Sequence, residues 1–380
     1  MKKIACILSA LLAVFMTAGC GLLSDGRAAL EAPSCMLLDD YLYWEAVENA
    51  AGYTVSVNGE EKPVQEGCGY LLPRDENVSV KVRAEARDGS KEYRSSAYSA
   101  AVLRTADPVD YVELNAENFS DYADISVSSV DVDTAALDGS HEAYAIEFDE
   151  NFGNYEVVVP ATVRAVRLTS ADGSSAGLAF RCEPRTETFV LELHTVTVNA
   201  YPDRGVVRCD SETGLSDRAD VVIRSLGDGE ANALCAGRNS KTGSRGKDTD
   251  KLFAKGGRGG DGAPGYAAVS APCVAVTGDN ALGLFGGSGS GGGQGGSSAS
   301  NQGGDGGDGG RGGDAVEAQK LFVNIAGGRE LSLYGGAGGP RGELGSGINL
   351  GGGLSSNDAV DGADGVGFAG TPVILAGAVL

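Results

Sequence analysis

Residues 268–287 read AVSAPCVAVTGDNALGLFGG and residues 315–336 read AVEAQKLFVNIAGGRELSLYGG, and these two lines decide the fold. Both open on Ala-Val-X-Ala. Both then place apolar residues two apart, Val274 and Val276 against Leu321 and Val323. Both close on leucines two apart before Gly-Gly, Leu282 and Leu284 against Leu331 and Leu333. A period of two belongs to half-buried strands, and no helical period of 3.6 intervenes. The opening recurs upstream as Ala179-Phe180-Arg181-Cys182, as Val206-Val207-Arg208-Cys209 and loosely as Ala233-Leu234-Cys235. The steps from Cys182 to Cys209 and on to Cys235 are 27 and 26 residues. That is about the circumference of one coil in a stacked β-solenoid, where equivalent positions become neighbours in space. The register predicts an inward column of Cys182, Cys209 and Cys235, extended by Ala271 and Ala318.

Later coils are longer because glycine-rich stretches interrupt them. Most of the 60 glycines follow Leu226, and Gly303 to Asp314 is four consecutive Gly-Gly-X triplets. In an extended three-residue helix such triplets put every X on one edge and leave two bare edges through which backbones can pack. The entropy lost on ordering glycine favours mobile loops instead. A third reading is calcium: Gly309 to Val316 fits the GGxGxDxU nonapeptide, although the preceding copy has glycine where the large apolar residue belongs and no tandem array follows. The runs contain no phosphate-cradling GxGxxG or GK[ST] signature. Taken with the Ala/Cys repeat, residues 155–380 resemble the right-handed parallel β-helix surface proteins of bacteria. That resemblance implies stacked coils with glycine-rich loops pushed out at the turns.

Residues 30–104 read as a small sandwich. Tyr41-Leu42-Tyr43-Trp44, Tyr53 to Val57 and Val78 to Ala84 alternate with period two, and Asn58-Gly59 is a tight-turn pair. Trp44-Glu45-Ala46-Val47, Ala51-Gly52-Tyr53-Thr54-Val55, Val80 to Ala84 and Ser96-Ala97-Tyr98-Ser99 resemble a bacterial fibronectin type III domain. The resemblance makes Trp44 the core tryptophan of the second strand and implies a spacer or partner-binding platform. The fold class expected is therefore all-β, a fibronectin type III-like sandwich followed by a β-solenoid. The segment 105–154 is a link to which the sequence gives no fold, with a short helical turn expected near Phe119.

The first residues set the compartment. Lys2 and Lys3 precede an uncharged apolar run, Ile4 to Met16, that ends in Thr17-Ala18-Gly19-Cys20. A spanning helix needs about 20 apolar residues, and this run is shorter. The pattern is that of a secretory signal over 1–19, with a tether at 20–29. Its ending resembles the lipobox of bacterial lipoproteins, with Thr17 where leucine is usual. The resemblance implies that Cys20 is lipidated and holds the protein at the extracellular face of the membrane, each buried methylene contributing about 0.8 kcal/mol.

A formal net charge of -22 excludes nucleic acid as a partner, since counterion release would oppose binding. With two histidines and no CxxC pair, no metal or other cofactor is expected. Asp203, Asp210, Asp217, Asp220 and Asp228 fall near turns without forming a catalytic pair, and neither His141 nor His194 has a nucleophile beside it. No catalytic residue is assigned. The expected role is non-catalytic binding or adhesion, to a glycan or a cell-surface protein. Polysaccharide lyase or hydrolase activity and a purely structural spacer are the alternatives; exposed aromatics on one solenoid face would favour glycan. Cys20→Ala should abolish metabolic incorporation of a fatty-acid analogue, and equal labelling of the variant would refute the anchor.

Overall fold

The computed structural model describes residues 26–127, 132–210, 214–251, 254–299, 301–326, 328–347 and 357–375; the signal segment and Cys20 lie outside them. The chain divides into two units at Asp107 and Pro108.

The first unit is two antiparallel sheets. Beside a two-residue parallel ribbon, β1 (Ala28–Ala29) with β8 (Tyr93–Arg94), one sheet holds β2 (Cys35–Leu38), β3 (Tyr41–Trp44) and β6 (Gly69–Leu71). The other runs in the order β5 (Glu60–Glu61), β4 (Gly52–Val57), β7 (Val78–Glu85) and β9 (Val102–Arg104). Asn58 and Gly59, at φ 51° and 86°, make the turn between β4 and β5, a conformation their residue types tolerate. The alternation in β7 sends Val78, Val80, Val82 and Ala84 inward against Leu42, Trp44, Tyr53 and Val55. Trp44 is fully buried, edge-on to Tyr53 at 5.4 Å between ring centroids, and the Tyr53 hydroxyl accepts the Val47 N–H at 2.8 Å.

The second unit is a β-solenoid of three sheets, parallel but for one pair. The first sheet stacks β10 (Val112–Leu114), β13 (Ala143–Phe148), β15 (Ala165–Ser170), β18 (Phe189–His194), β21 (Val221–Leu226), β24 (Cys273–Gly278), β27 (Lys320–Ile325) and β29 (Val373–Ile374). The second stacks β11 (Ala123–Ser126), β12 (Asp133–Leu137), β14 (Tyr155–Val159), β17 (Leu178–Cys182), β20 (Val207–Cys209), β23 (Val269–Ser270) and β26 (Val316–Glu317), with β11 and β12 antiparallel. The third stacks β16 (Ser175–Ala176), β19 (Thr197–Asn199), β22 (Asn232–Cys235), β25 (Leu282–Phe285) and β28 (Leu331–Tyr334). Residues 112–148, which have no evident fold in the sequence, supply the first strands of two of these sheets. The helical turn near Phe119 is α1 (Phe119–Tyr122), whose Phe119 packs on Phe152 and Tyr155 with ring centroids 5.1 and 5.0 Å apart.

Like residues stack because equivalent positions on parallel strands lie about 4.8 Å apart. Phe189, Val221, Val274 and Leu321 make one column, and Val198, Leu234, Leu284 and Leu333 another. Cys182 pairs in register with Cys209, and the same register continues to Ala271 and Ala318, all within or against the core. Cys235 does not join them. It ends β22 in the third sheet and is not a core residue. The 26-residue step compares strands of two different sheets: the coil that follows β20 reaches β23 only after a long excursion.

In the first unit, Trp44→Ala removes the largest buried side chain from a small core, which should cost about 3–5 kcal/mol. The urea midpoint of residues 26–107, followed by circular dichroism, should fall sharply. An unchanged midpoint would contradict the packing.

Candidate functional site

The excursions leave the solenoid at one corner, between the third sheet and the second. They comprise six glycine-rich segments, g1 to g6, spanning residues 239–249, 256–266, 286–298, 303–314, 335–347 and 357–367. Hydrogen bonding repeats every third residue, the signature of a three-residue extended helix that has no internal bonds. In g3 the N–H groups of Gly289, Gly292 and Gly295 bond to g5, and those of Gly287, Ser290, Gly293 and Gly296 bond to g2. In g4 Gly304, Gly307, Gly310 and Gly313 bond to g3 at 2.8 Å, while Gly309 and Gly312 bond to g6 at 2.9 Å. The result is a two-layer bundle, g1, g3 and g5 over g2, g4 and g6. The sequence favours mobile loops here; hydrogen-bonded helices form instead because each bare glycine edge meets a carbonyl row on a neighbour.

The bundle has unlike faces. On the layer containing g4, aspartates take up the N–H groups that face sideways: Asp261 accepts from Asp308, Asp308 from Val360 and Asp314 from Val366, at 2.8–2.9 Å. Arg258 bridges Asp261 and Asp308 at 2.9 and 2.8 Å, and Lys255 pairs with Asp305 at 2.7 Å. The Val360 N–H, then Arg258, hold the Asp308 carboxyl below its ordinary range. Asp314, the aspartate of the calcium-like nonapeptide, thus lies in g4, bonded to Arg311 and Val366. On the opposite face the third positions of g3 and g5 include the small or neutral Ser288, Gln294, Ala337, Pro340 and Ser346, with the charged Glu343 in the same series. Where g1, g3 and g5 end, an open groove of 590 Å³ is lined by Asp248, Thr249, Ser297 and Ser346 among others.

At the root of the bundle, on the outer face of the third sheet, Cys235, Phe285 and Tyr334 fall in register. The Phe285 and Tyr334 rings stack at 5.3 Å with an interplanar angle of 10°. Phe285 lies over Gly283, where a Cβ would come within 2.5 Å of the ring. Tyr334 is 57% exposed, and β28 is the last described strand of its sheet. Sequence reasoning passed over this pair, yet an aromatic precedes Gly-Gly in both decisive lines.

The other candidates are tied up in structure. Glu192 sits between Arg167, at 2.9 Å, and the buried Arg224, and receives the Tyr111 hydroxyl at 3.2 Å. Burial raises the Glu192 pKa, but Arg224 and Arg167 outweigh it and keep the carboxylate charged; burial, then Glu192, push the Tyr111 phenol up. Charges so matched clamp β15, β18 and β21 together. The pKa of His194, two residues further along β18, is lowered by burial. His141 is exposed, against the edges of Tyr122 and Tyr144. Asp220 is buried and accepts the Leu215 and Cys273 N–H groups; Asp203 binds Ser240, Asp210 binds Arg208 and Asp217 binds Arg218. Among the described residues no group of three His, Cys, Asp or Glu is placed to hold a metal ion.

The bundle geometry separates glycines by position. A Cβ on Gly307, inside g4, would lie 1.8 Å from the Gly260 carbonyl oxygen, whereas on Gly291, at the surface of g3, the nearest atom is 3.5 Å away. Gly307→Ala should therefore destabilise the bundle by about 1–3 kcal/mol and Gly291→Ala should be neutral. Hydrogen exchange of the glycine amides in each variant reads the difference, and equal protection would refute the packing.

The chain finds no match among protein-family models, curated protein sequences or solved structures.

Proposed function

We propose that this chain is a bacterial surface lipoprotein, anchored through Cys20, whose right-handed β-helix follows a fibronectin type III domain and serves non-catalytic adhesion to polysaccharide. The stacked Phe285 and Tyr334 rings carry the reading. A flat aromatic face buries the apolar face of a sugar ring while hydroxyls around it remain wet, and Tyr334 offers such a face at the end of its ladder. Ser332, on the same strand, and the serine-bearing face of g3 supply neutral hydrogen-bonding groups near an otherwise acidic surface. The hydroxyl-lined groove at the tips suits the same class of ligand. Glu192 is committed to Arg167 and Arg224, which takes that one buried carboxylate out of the candidates for lyase or hydrolase chemistry.

A glycan array probed with residues 21–380 should retain a defined polysaccharide class. Tyr334→Ala should weaken that binding about tenfold, equivalent to 1.4 kcal/mol, with the circular dichroism spectrum unchanged. Retention of no glycan, or undiminished binding by the variant, would overturn the proposal.

A further inference from the structure

Of the six described cysteines, Cys182 and Cys209 stand apart. Cys35 and Cys68 flank Trp44 from opposite strands, in register with it on either side, so two strand spacings of about 4.8 Å separate them. A disulfide needs Cα atoms within about 7 Å, which that separation exceeds. Cys235 and Cys273 lie in the third and first sheets. Cys182 and Cys209 are partners on adjacent parallel strands, and their side chains belong to the same inward column. One strand spacing falls inside the range of Cα separations that disulfides span.

Both residues are buried, but they differ in their distance from solvent-filled space. Cys209 forms part of the wall of an open groove of 680 Å³, together with Asp210, Ser270, Pro272 and Glu317, whereas Cys182 lies behind it and is not part of that wall. The neighbouring Cys209 thiol and burial raise Cys182. The neighbouring Cys182 thiol, opposed by burial and aided by Arg185, lowers Cys209. Arg185 is held in place by the carbonyls of Val163 and Val159, at 2.9 and 3.1 Å. Exchange requires the attacking sulfur to be reached by its partner, so Cys209, on the groove wall, is the one placed to attack.

We propose that Cys182 and Cys209 are a dithiol site that reacts with small aliphatic disulfides through the groove and closes to a disulfide joining two successive coils. The Cys209 thiolate attacks one sulfur of RSSR, forming Cys209–S–S–R and expelling RS⁻. Cys182 then gives up its proton and attacks Cys209 Sγ, forming the Cys182–Cys209 bond and expelling the second RS⁻. The two thiols are oxidised by two electrons, RSSR is reduced, and the two protons released convert both RS⁻ to RSH. In a chain of net charge -22 a cationic disulfide is drawn in, so cystamine is the suitable probe.

The intact protein, reduced and then exposed to cystamine, is unfolded in an alkylating reagent and mapped without reduction. Cys182 and Cys209 should be lost to alkylation and recovered as one linked peptide, with Cys35 and Cys68 still alkylated. In Cys182→Ala, Cys209 should instead retain cysteamine. Full alkylation of Cys182 and Cys209 in the parent, linkage of Cys209 to another cysteine, or no cysteamine on Cys209 in the variant would each overturn the proposal. The parent measurement stands without any variant having to fold.

Discussion

Backbone hydrogen bonding between successive coils is the interaction on which the second unit depends. Each strand passes its N–H and C=O groups to the strand stacked on it, and the same transfer continues without a break where the strands end. Beyond β25 and β28, Gly286 donates to the Tyr334 carbonyl at 2.8 Å and Gly289 to Ala337 at 2.9 Å. The glycine helices therefore need no register of their own; they inherit the one set by Leu282, Leu284, Leu331 and Leu333.

That inheritance decides whether glycine helices can be ordered. Fixing a glycine costs roughly 0.5–1 kcal/mol more than fixing alanine, and a backbone hydrogen bond contributes a net 0.5–1.5 kcal/mol. The two are close enough that an isolated Gly-Gly-X segment has little reason to fold. Segments delivered side by side by a finished solenoid start with their ends already aligned, which removes most of the closure entropy. Glycine is required because the helices approach to where a Cβ on Gly304 or Gly313 would strike a carbonyl at 1.9 or 2.1 Å. The price of that contact is paid in sequence freedom, since only the third residue of each turn can vary.

The sequence carried the parts of the fold that rest on local alternation. The burial of Trp44 and the pairing of Val274 with Leu321 and Leu284 with Leu333 follow from period two and the repeat. The repeat misled at Cys235 because Ala233-Leu234-Cys235 copies a strand pattern without its place in the coil; side-chain alternation is the same in all three sheets, so only coil length tells them apart. The first strands were illegible for a different reason. β10 to β12 are three to five residues long, and β11 turns antiparallel, so no repeat starts there. The glycine helices lay in the composition, but their order depends on neighbours dozens of residues away, which no local pattern encodes.

Charge on the bundle likewise has a meaning that composition hides. A run of aspartates in a chain this acidic reads as solvated surface. Asp261, Asp308 and Asp314 instead each accept an amide from the adjoining helix, and Arg258 and Arg311 neutralise them in place. Donors that glycine leaves exposed between helices are thereby met by the X residues of the triplets, and the aspartates act as side-chain extensions of the carbonyl ladder. The acidic side chains are fixed by this work of holding helices together, whereas Ser288, Gln294 and Ser346 join the ladder through their backbone carbonyls and leave their side chains out of it. Side chains there can be exchanged without disturbing the scaffold, so under the proposed glycan-binding role substitutions at these positions and at Tyr334 would alter binding while leaving the ladder intact.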